Sequence, residues 1–242
     1  MDFGSIALFL LTVFVGTVIQ GVSGFGFGIF VMMVFPFLLP SYGAGVTVSG
    51  MLSILSNAAI AVRMRRHIAW KKLWIPLAAN VVVSTAAIFF SAGQSDAVLK
   101  KLLGAFLILM SLYFLFLGGR FTIRPNRRNG AIAGGLGGLL GGLFGTGGPP
   151  MVVYLLASSE SNEEYLGTIQ AYFALTNIST ILVRAWNGMM TPLTLQYWAI
   201  GLAALALGVF AGHKLFRRLD GGKLKKVVYL FMIGSGIVML CQ

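Results

Sequence analysis

From Phe3 to Val62 the chain carries no Asp, Glu, Lys or Arg. Further uncharged runs cover 73–95, 102–119, 129–159, 165–183, 185–213 and 227–242. A membrane-spanning helix needs about 20 apolar residues, and each of these runs reaches or approaches that length. Composition agrees: 57% of residues are hydrophobic and 10% are charged, against about 45–50% and roughly 25% in soluble chains. The pattern predicts an all-α polytopic membrane protein. It excludes a soluble enzyme, a secreted disulfide scaffold and a disordered chain. A β-barrel would show short alternating segments instead of continuous apolar runs.

The net charge of +12 would suggest nucleic acid in a soluble protein. Here it follows from retention of basic residues in cytoplasmic loops, and no nucleic-acid partner is expected. Cys241 is the one cysteine, so no internal disulfide and no cysteine-based metal site can form. No cofactor and no metal are expected. Met1-Asp2-Phe3 lacks the basic start of a cleaved signal peptide, so the first segment is read as mature structure.

The chain also repeats itself. Gly21, Gly24 and Gly26 recur as Gly142, Gly145 and Gly147, and Arg63 recurs as Arg184, all at one offset. Leu99-Lys100-Lys101 is echoed by Leu224-Lys225-Lys226. These matches divide the chain into repeats 1–120 and 121–242. Each opens with a glycine-broken segment, 4–39 or 129–157. Three helices follow in each, at 41–62, 70–92 and 97–118 and at 163–184, 192–213 and 224–241. If each broken segment crosses the membrane once, the basic residues divide almost evenly between the two sides. If each goes in and comes back, one side holds fifteen and the other only Lys100, Lys101 and Arg184. That bias satisfies the positive-inside rule. It makes the repeats inverted, with a re-entrant or short-helix hairpin at the start of each and both termini periplasmic. One kinked helix per broken segment is the alternative, and the charge tally counts against it. Trp70 and Trp74 then fall near the inner interface and Trp186 near the outer, where aromatic belts lie. Arg184 is expected to snorkel there.

The breaks carry the candidate site. Irregular backbone at membrane depth is tolerated only inside protein or along a cavity. Glycines 134, 135, 137, 138 and 141 read as helix-packing positions. Gly145-Thr146-Gly147-Gly148-Pro149-Pro150 reads as one helix ending and another beginning, because proline suits a first helical turn. Ser23-Gly24-Phe25-Gly26 marks the matching break in the first repeat. A helix start presents unpaired N–H groups and partial positive charge to an anion. Inverted repeats would bring two such starts together near the midplane. Ser49, Ser53, Ser56 and Asn57 form a polar stripe on one helix, and Gln170, Asn177 and Thr180 form one on its counterpart. The substrate-binding residues expected are therefore Ser23, Gly24, Phe25, Gly26, Asn57, Gly145, Thr146, Gly147, Gly148, Pro149, Gln170 and Asn177. No acid lies inside a span, although intramembrane acids commonly mark proton relays and cation paths. A small anion is the remaining ligand class.

The two glycine-rich stretches, Gly21-Val22-Ser23-Gly24-Phe25-Gly26-Phe27-Gly28 and Gly142-Leu143-Phe144-Gly145-Thr146-Gly147-Gly148-Pro149-Pro150, resemble the signatures of the sulfite exporter TauE/SafE family. That family is also called the toluene sulfonate uptake permease family. The first stretch departs from the family's denser glycine run through Phe25 and Phe27. The resemblance covers essentially the whole chain. It implies a bacterial inner-membrane transporter of sulfite, organosulfonates or related sulfur- or carboxylate-bearing anions, working by alternating access. Its partners would be that small anion and the lipid bilayer, and a homodimer is compatible with the pattern. A passive anion channel shares every feature. A rival of another class is a rhomboid-like serine protease, because Gly21-Val22-Ser23-Gly24 fits the Gly-x-Ser-Gly pattern and His213 follows. The expected topology places His213 at the cytoplasmic end and Ser23 mid-membrane, too far apart for proton transfer. No catalytic residue is therefore expected.

Overall fold

The structure is a computed structural model that describes residues 3–117, 124–215 and 221–241, apart from the side chains of residues 22–23, 117, 213–215, 221–229 and 231. The described residues form helices and no strand. In order these are α1 Phe3–Ser23, α2 Phe27–Met32, α3 Phe35–Leu38, α4 Tyr42–Arg63, α5 Trp70–Ala92, α6 Asp96–Leu112, α7 Arg127–Phe144, α8 Gly148–Ser158, α9 Asn162–Trp186, α10 Pro192–Leu215 and α11 Gly221–Cys241. A π turn, Tyr113–Leu117, extends α6. Six of the helices are long and apolar enough to cross a membrane.

Local chemistry sets the helix starts. Ser41, Ser95, Asn126 and Ser161 each accept a bond from a first-turn N–H, at α4, α6, α7 and α9 in that order. Such caps satisfy donors that have no partner within the helix. Large apolar residues face outward along the spans, including Val82, Leu109, Leu182 and Phe210. That is the surface expected where lipid is the solvent. Trp70 and Trp74 stack with centroids 6.3 Å apart and stay exposed, as does Trp186.

Each glycine-broken segment turns back on itself. The Phe35 ring stacks on Phe9 of α1 at 5.1 Å, so α2 and α3 return along α1. In the second half, the Tyr154 hydroxyl lies 2.9 Å from where a Cβ on Gly130 would sit, so α8 returns along α7. The arms are unequal. The leading helices α1 and α7 have 21 and 18 residues, and only the returning ones are short. The expectation of two half-helices per segment is corrected on that point. Nothing in 3–23 or 127–144 stops a helix before the left-handed glycines, Gly24 (φ 77°), Gly26 (φ 102°) and Gly145 (φ 67°). That backbone region is open chiefly to glycine.

The main contacts pair α1 with α10, α5 with α7, α4 with α9, and α6 with α11. Close glycine approaches give their directions. On α7, Gly134 meets Pro76, Gly138 meets Asn80 and Gly142 meets Ser84, so α5 and α7 run parallel. Gly201 lies near Phe9 and Gly208 meets Thr17, so α1 and α10 also run parallel. Gly50 meets Ile181 while Gly167 meets Met64, so α4 and α9 run antiparallel. Packing is therefore the role of Gly134 and Gly138, as the sequence suggests. A Cβ at Gly135 or Gly141 would meet nothing closer than 3.7 Å and 3.6 Å respectively, so close packing does not require glycine there.

Candidate functional site

The two breaks meet. A Cβ on Gly28 would run into the Gly145 carbonyl. Beside that contact lies a cavity with an empty volume of about 610 Å³, counting the part open to solvent. Its walls come from Gln20 of α1, the first break (Phe25 to Ile29), Ser53 and Asn57 of α4, and Asn80 of α5. Gly137 and Gly141 of α7, the second break (Gly145 to Gly148), and Tyr172, Phe173, Thr176, Asn177 and Thr180 of α9 complete them. None of these residues is charged.

Of the residues expected from sequence, Phe25, Gly26, Asn57, Gly145, Thr146, Gly147, Gly148 and Asn177 line this cavity. Three do not. Gln170 is fully buried and donates from Nε2 to the Gly24 carbonyl at 2.6 Å, so it ties α9 to the first break. Gly24 gives that carbonyl to Gln170 and does not line the cavity. Pro149 is buried in α8 and does not line the cavity. Ser23 ends α1, and its side chain lies outside the described residues. Gln20, Asn80, Tyr172 and Phe173 were missed. Gln20 and Asn80 are lone polar residues on apolar helices, a signal that was available. Tyr172 and Phe173 carry no sequence signal that separates them from core aromatics.

The polar groups divide into satisfied and unsatisfied. Gln20 donates to Asn57 Oδ1, and Ser56 donates to Gln20 Oε1 at 3.3 Å. The Thr176 and Thr180 hydroxyls donate to carbonyls of their own helix. Asn80 Nδ2 donates to the Tyr172 hydroxyl at 2.9 Å, but Asn80 Oδ1 is buried with no partner. The Thr146 hydroxyl is buried, 3% exposed, and has no partner among the described residues. Among the described residues no hydrogen bond reaches the Asn177 side chain, although it lines the cavity.

The second break adds backbone donors. Gly145 ends α7 in the left-handed conformation, and its N–H reaches Gly141 O at 3.0 Å. Gly147 caps α8, with prolines in the first turn. The N–H groups at the start of a helix have no acceptor within it. Those of Gly147 and Gly148 find none in the surrounding turns. A Cβ on Gly147 would strike the Gly137 carbonyl, whereas one on Gly148 would make ordinary contact with Phe173 at 3.4 Å. Gly147 is thus a packing glycine, and Gly148 is open to the cavity. Gly137 is closely packed as well, because a Cβ there would lie 2.9 Å from Gly147 O.

Arg184 does not snorkel. It is 2% exposed, and Nη2 donates to the Gly142 carbonyl in the last turn of α7. Tyr42 donates to the neighbouring Leu143 carbonyl at 3.0 Å. A cation is favourable at a helix C-terminus, and that end of α7 lies too far inside the protein for water to reach it. The distance argument against a Ser23–His213 pair is also corrected. Gly21 and Gly212 pack together, so the ends of α1 and α10 lie level. The side chain of His213 lies outside the described residues.

Long apolar helices enclosing an uncharged, donor-lined cavity between two broken helices define a membrane transport protein. Sequence comparison places it more closely. The model of the sulfite exporter TauE/SafE family matches residues 8–239, and the chain belongs to that family. It is similar to a Cupriavidus necator protein described as a probable sulfite/organosulfonate exporter TauE, with 25% identity over 229 residues, covering 93% of this chain and 90% of the relative. No solved structure matches the chain. Family membership is what now weighs against the protease alternative.

Proposed function

We propose that the protein exports a small sulfur-bearing anion, sulfite or an organosulfonate, across a bacterial inner membrane. The observation that carries this reading is the convergence of the buried, unpartnered Thr146 hydroxyl with the free Gly147 and Gly148 N–H groups in a cavity without a charged wall. Such groups stabilise an anion by oriented dipoles. Asn57 and Asn177 add amide donors from α4 and α9. The family and the relative's description supply the sulfur anion.

Alternating access around this site is part of the reading. The repeats 1–120 and 121–242 are proposed to be inverted, with both termini periplasmic. The exchange of α1·α10 for α5·α7, and the antiparallel run of the counterparts α4 and α9, support that arrangement. The site then sits at the repeat interface, as in other inverted-repeat transporters. Sulfite efflux from proteoliposomes loaded with sulfite tests it. Saturable efflux that methanesulfonate inhibits, and that Thr146→Val weakens, is expected. Flux that never saturates and follows voltage alone would mark a passive channel.

A further inference from the structure

Resting on that anion site, we infer that the anion leaves the cavity by way of Arg184, whose guanidinium gives up the Gly142 carbonyl to take it and releases it into a second hollow where α9 meets α10. Arg184 lies between the two hollows. On the cavity side, the wall residue Thr180 lies one helical turn before it on α9. Its carbonyl partner Gly142 falls in sequence between the wall residues Gly141 and Gly145. On the other side, Arg184 Nη1 donates to Met189 Sδ at 3.6 Å. Met189 lines the second hollow, about 650 Å³ counting the part open to solvent, together with Ser41, Ala44, Gly188, Thr191 and Thr194. The proposed topology makes that hollow periplasmic.

Capping the end of α7 does not by itself require a cation. The adjacent Leu143 carbonyl is capped by a neutral phenol, the Tyr42 hydroxyl, at 3.0 Å. A buried charge is costly unless it is paired and hydrogen-bonded, and no acid pairs with Arg184 among the described residues. Asp96 accepts the Tyr42 N–H instead, and Glu160 and Glu164 face Lys72 at the start of α9. An arginine carries five N–H donors, and thioether sulfur is a weak acceptor. The Gly142 and Met189 bonds use only two of the five. The end of α7 supplies about half a negative charge, so much of the guanidinium charge has no fixed counterpart. A small anion supplies one. The planar fork can grip two oxygens of an oxyanion at once, as it does with carboxylate and phosphate.

The test compares sulfite efflux from proteoliposomes with calorimetric sulfite binding in nanodiscs, both on the full chain. Arg184→Gln keeps a donor and drops the charge, and Arg184→Lys keeps the charge. The Gln variant should bind sulfite within about twofold of the parent yet export it about tenfold more slowly, the split expected of a group that acts after binding. The Lys variant should export within about threefold of the parent. A role confined to packing predicts the same outcome for both variants, so equal efflux from the two, whether kept or lost, would overturn the inference. Binding lost in parallel with efflux would also overturn it, by making the charge part of the cavity site. Should Arg184→Gln not fold, Met189→Cys in a Cys241→Ser background decides. Sulfonatoethyl methanethiosulfonate should label the new thiol, and the fixed negative charge beside Arg184 should then cut efflux about fivefold or more. A thiol that never reacts, or labelled protein that exports at its unlabelled rate, sinks the idea. A parent that neither binds nor exports sulfite would remove the anion site itself, and the inference with it.

Discussion

The two glycine breaks share a backbone plan and differ in chemistry. The first has two left-handed glycines and a returning helix of only six residues. Its polar neighbours are largely bonded: Gln20 pairs with Asn57 and Ser56, and Gln170 donates to the Gly24 carbonyl, although Gln170 Oε1 is buried with no partner among the described residues. The second has one left-handed glycine and a returning helix of 11 residues. Its Thr146 hydroxyl and its Gly147 and Gly148 N–H groups are left without protein partners. The flanking arginines differ too. Arg63 is exposed, and Arg184 is buried against the end of α7. The two breaks thus share a backbone plan, while the buried Thr146 hydroxyl, without a partner among the described residues, belongs to the second. On the proposed reading, the second break offers the Thr146 hydroxyl and the Gly147 and Gly148 N–H groups to the anion, and the first serves mainly as scaffold.

Substitutions at the second break can sharpen that division. Gly147→Ala should have the largest effect, because its Cβ would meet the Gly137 carbonyl, a backbone atom that cannot swing away. Overpacking of that kind costs about 1–3 kcal/mol, occasionally more. Loss of monodisperse protein on gel filtration is the expected result. Gly148→Ala should elute normally and bind sulfite less well, since its Cβ enters the cavity without striking backbone. Normal folding of the Gly147 variant would mean that this glycine is not held by packing.

Thr146→Val comes next, and Ser56→Ala is its counterpart beside the first break. The valine keeps the shape and removes one donor, worth about 1.5–3 kcal/mol when the acceptor is charged. That corresponds to roughly a ten- to hundredfold loss of affinity by calorimetry, with the melting temperature unchanged. Ser56→Ala should leave affinity intact, because that hydroxyl is already bonded to Gln20. Equal losses in the two variants would erase the distinction between scaffold and binding break. Arg184→Leu and Arg63→Leu form a third pair. Loss of the guanidinium leaves the buried Gly142 carbonyl unpaired, at about 1–3 kcal/mol. The exposed Arg63 should change stability by no more than about 0.5 kcal/mol. Thermal unfolding followed by tryptophan fluorescence separates the two.

Much of the fold could be read from the sequence because charge is so sparse. Uncharged runs located the spans to within a few residues, and Gly145 through Pro150 located the second break. What could not be read was which face each residue turns. Gln170 and Asn177 belong to one helical stripe, yet Gln170 meets the Gly24 carbonyl and Asn177 meets the cavity. That outcome depends on how α9 rotates against α1, a tertiary fact with no local signature. Arg184 was misjudged for the same reason. A basic residue at a helix end looks like an interfacial anchor until another helix is seen to end against it. Asn80 was overlooked because a single amide on an apolar helix is ordinary, and only packing against α7 and Tyr172 gives it a place in the wall.

The smallest expected effect tests whether the backbone plan alone is shared. Gly24, Gly145 and Gly188 all adopt positive φ, at 77°, 67° and 71°. For other residues the left-handed conformation costs roughly 1–2 kcal/mol. Gly188 has nothing within 4 Å of an added Cβ, so Gly188→Ala measures that cost by itself. At Gly24 the added methyl meets only the Leu166 side chain at 3.4 Å, and Gly24→Ala should destabilise by nearly the same amount. At Gly145 it meets Val46 Cγ1 at 3.0 Å, so Gly145→Ala should cost somewhat more. Melting temperatures of the three variants rank these costs. Sulfite affinity adds the second axis: Gly24→Ala should bind as the parent does, because Gly24 does not line the cavity, whereas Gly145→Ala should bind more weakly as Thr146 is displaced. If Gly24→Ala loses affinity as much as Gly145→Ala does, both breaks contribute to the site, and the asymmetry between them is one of packing only.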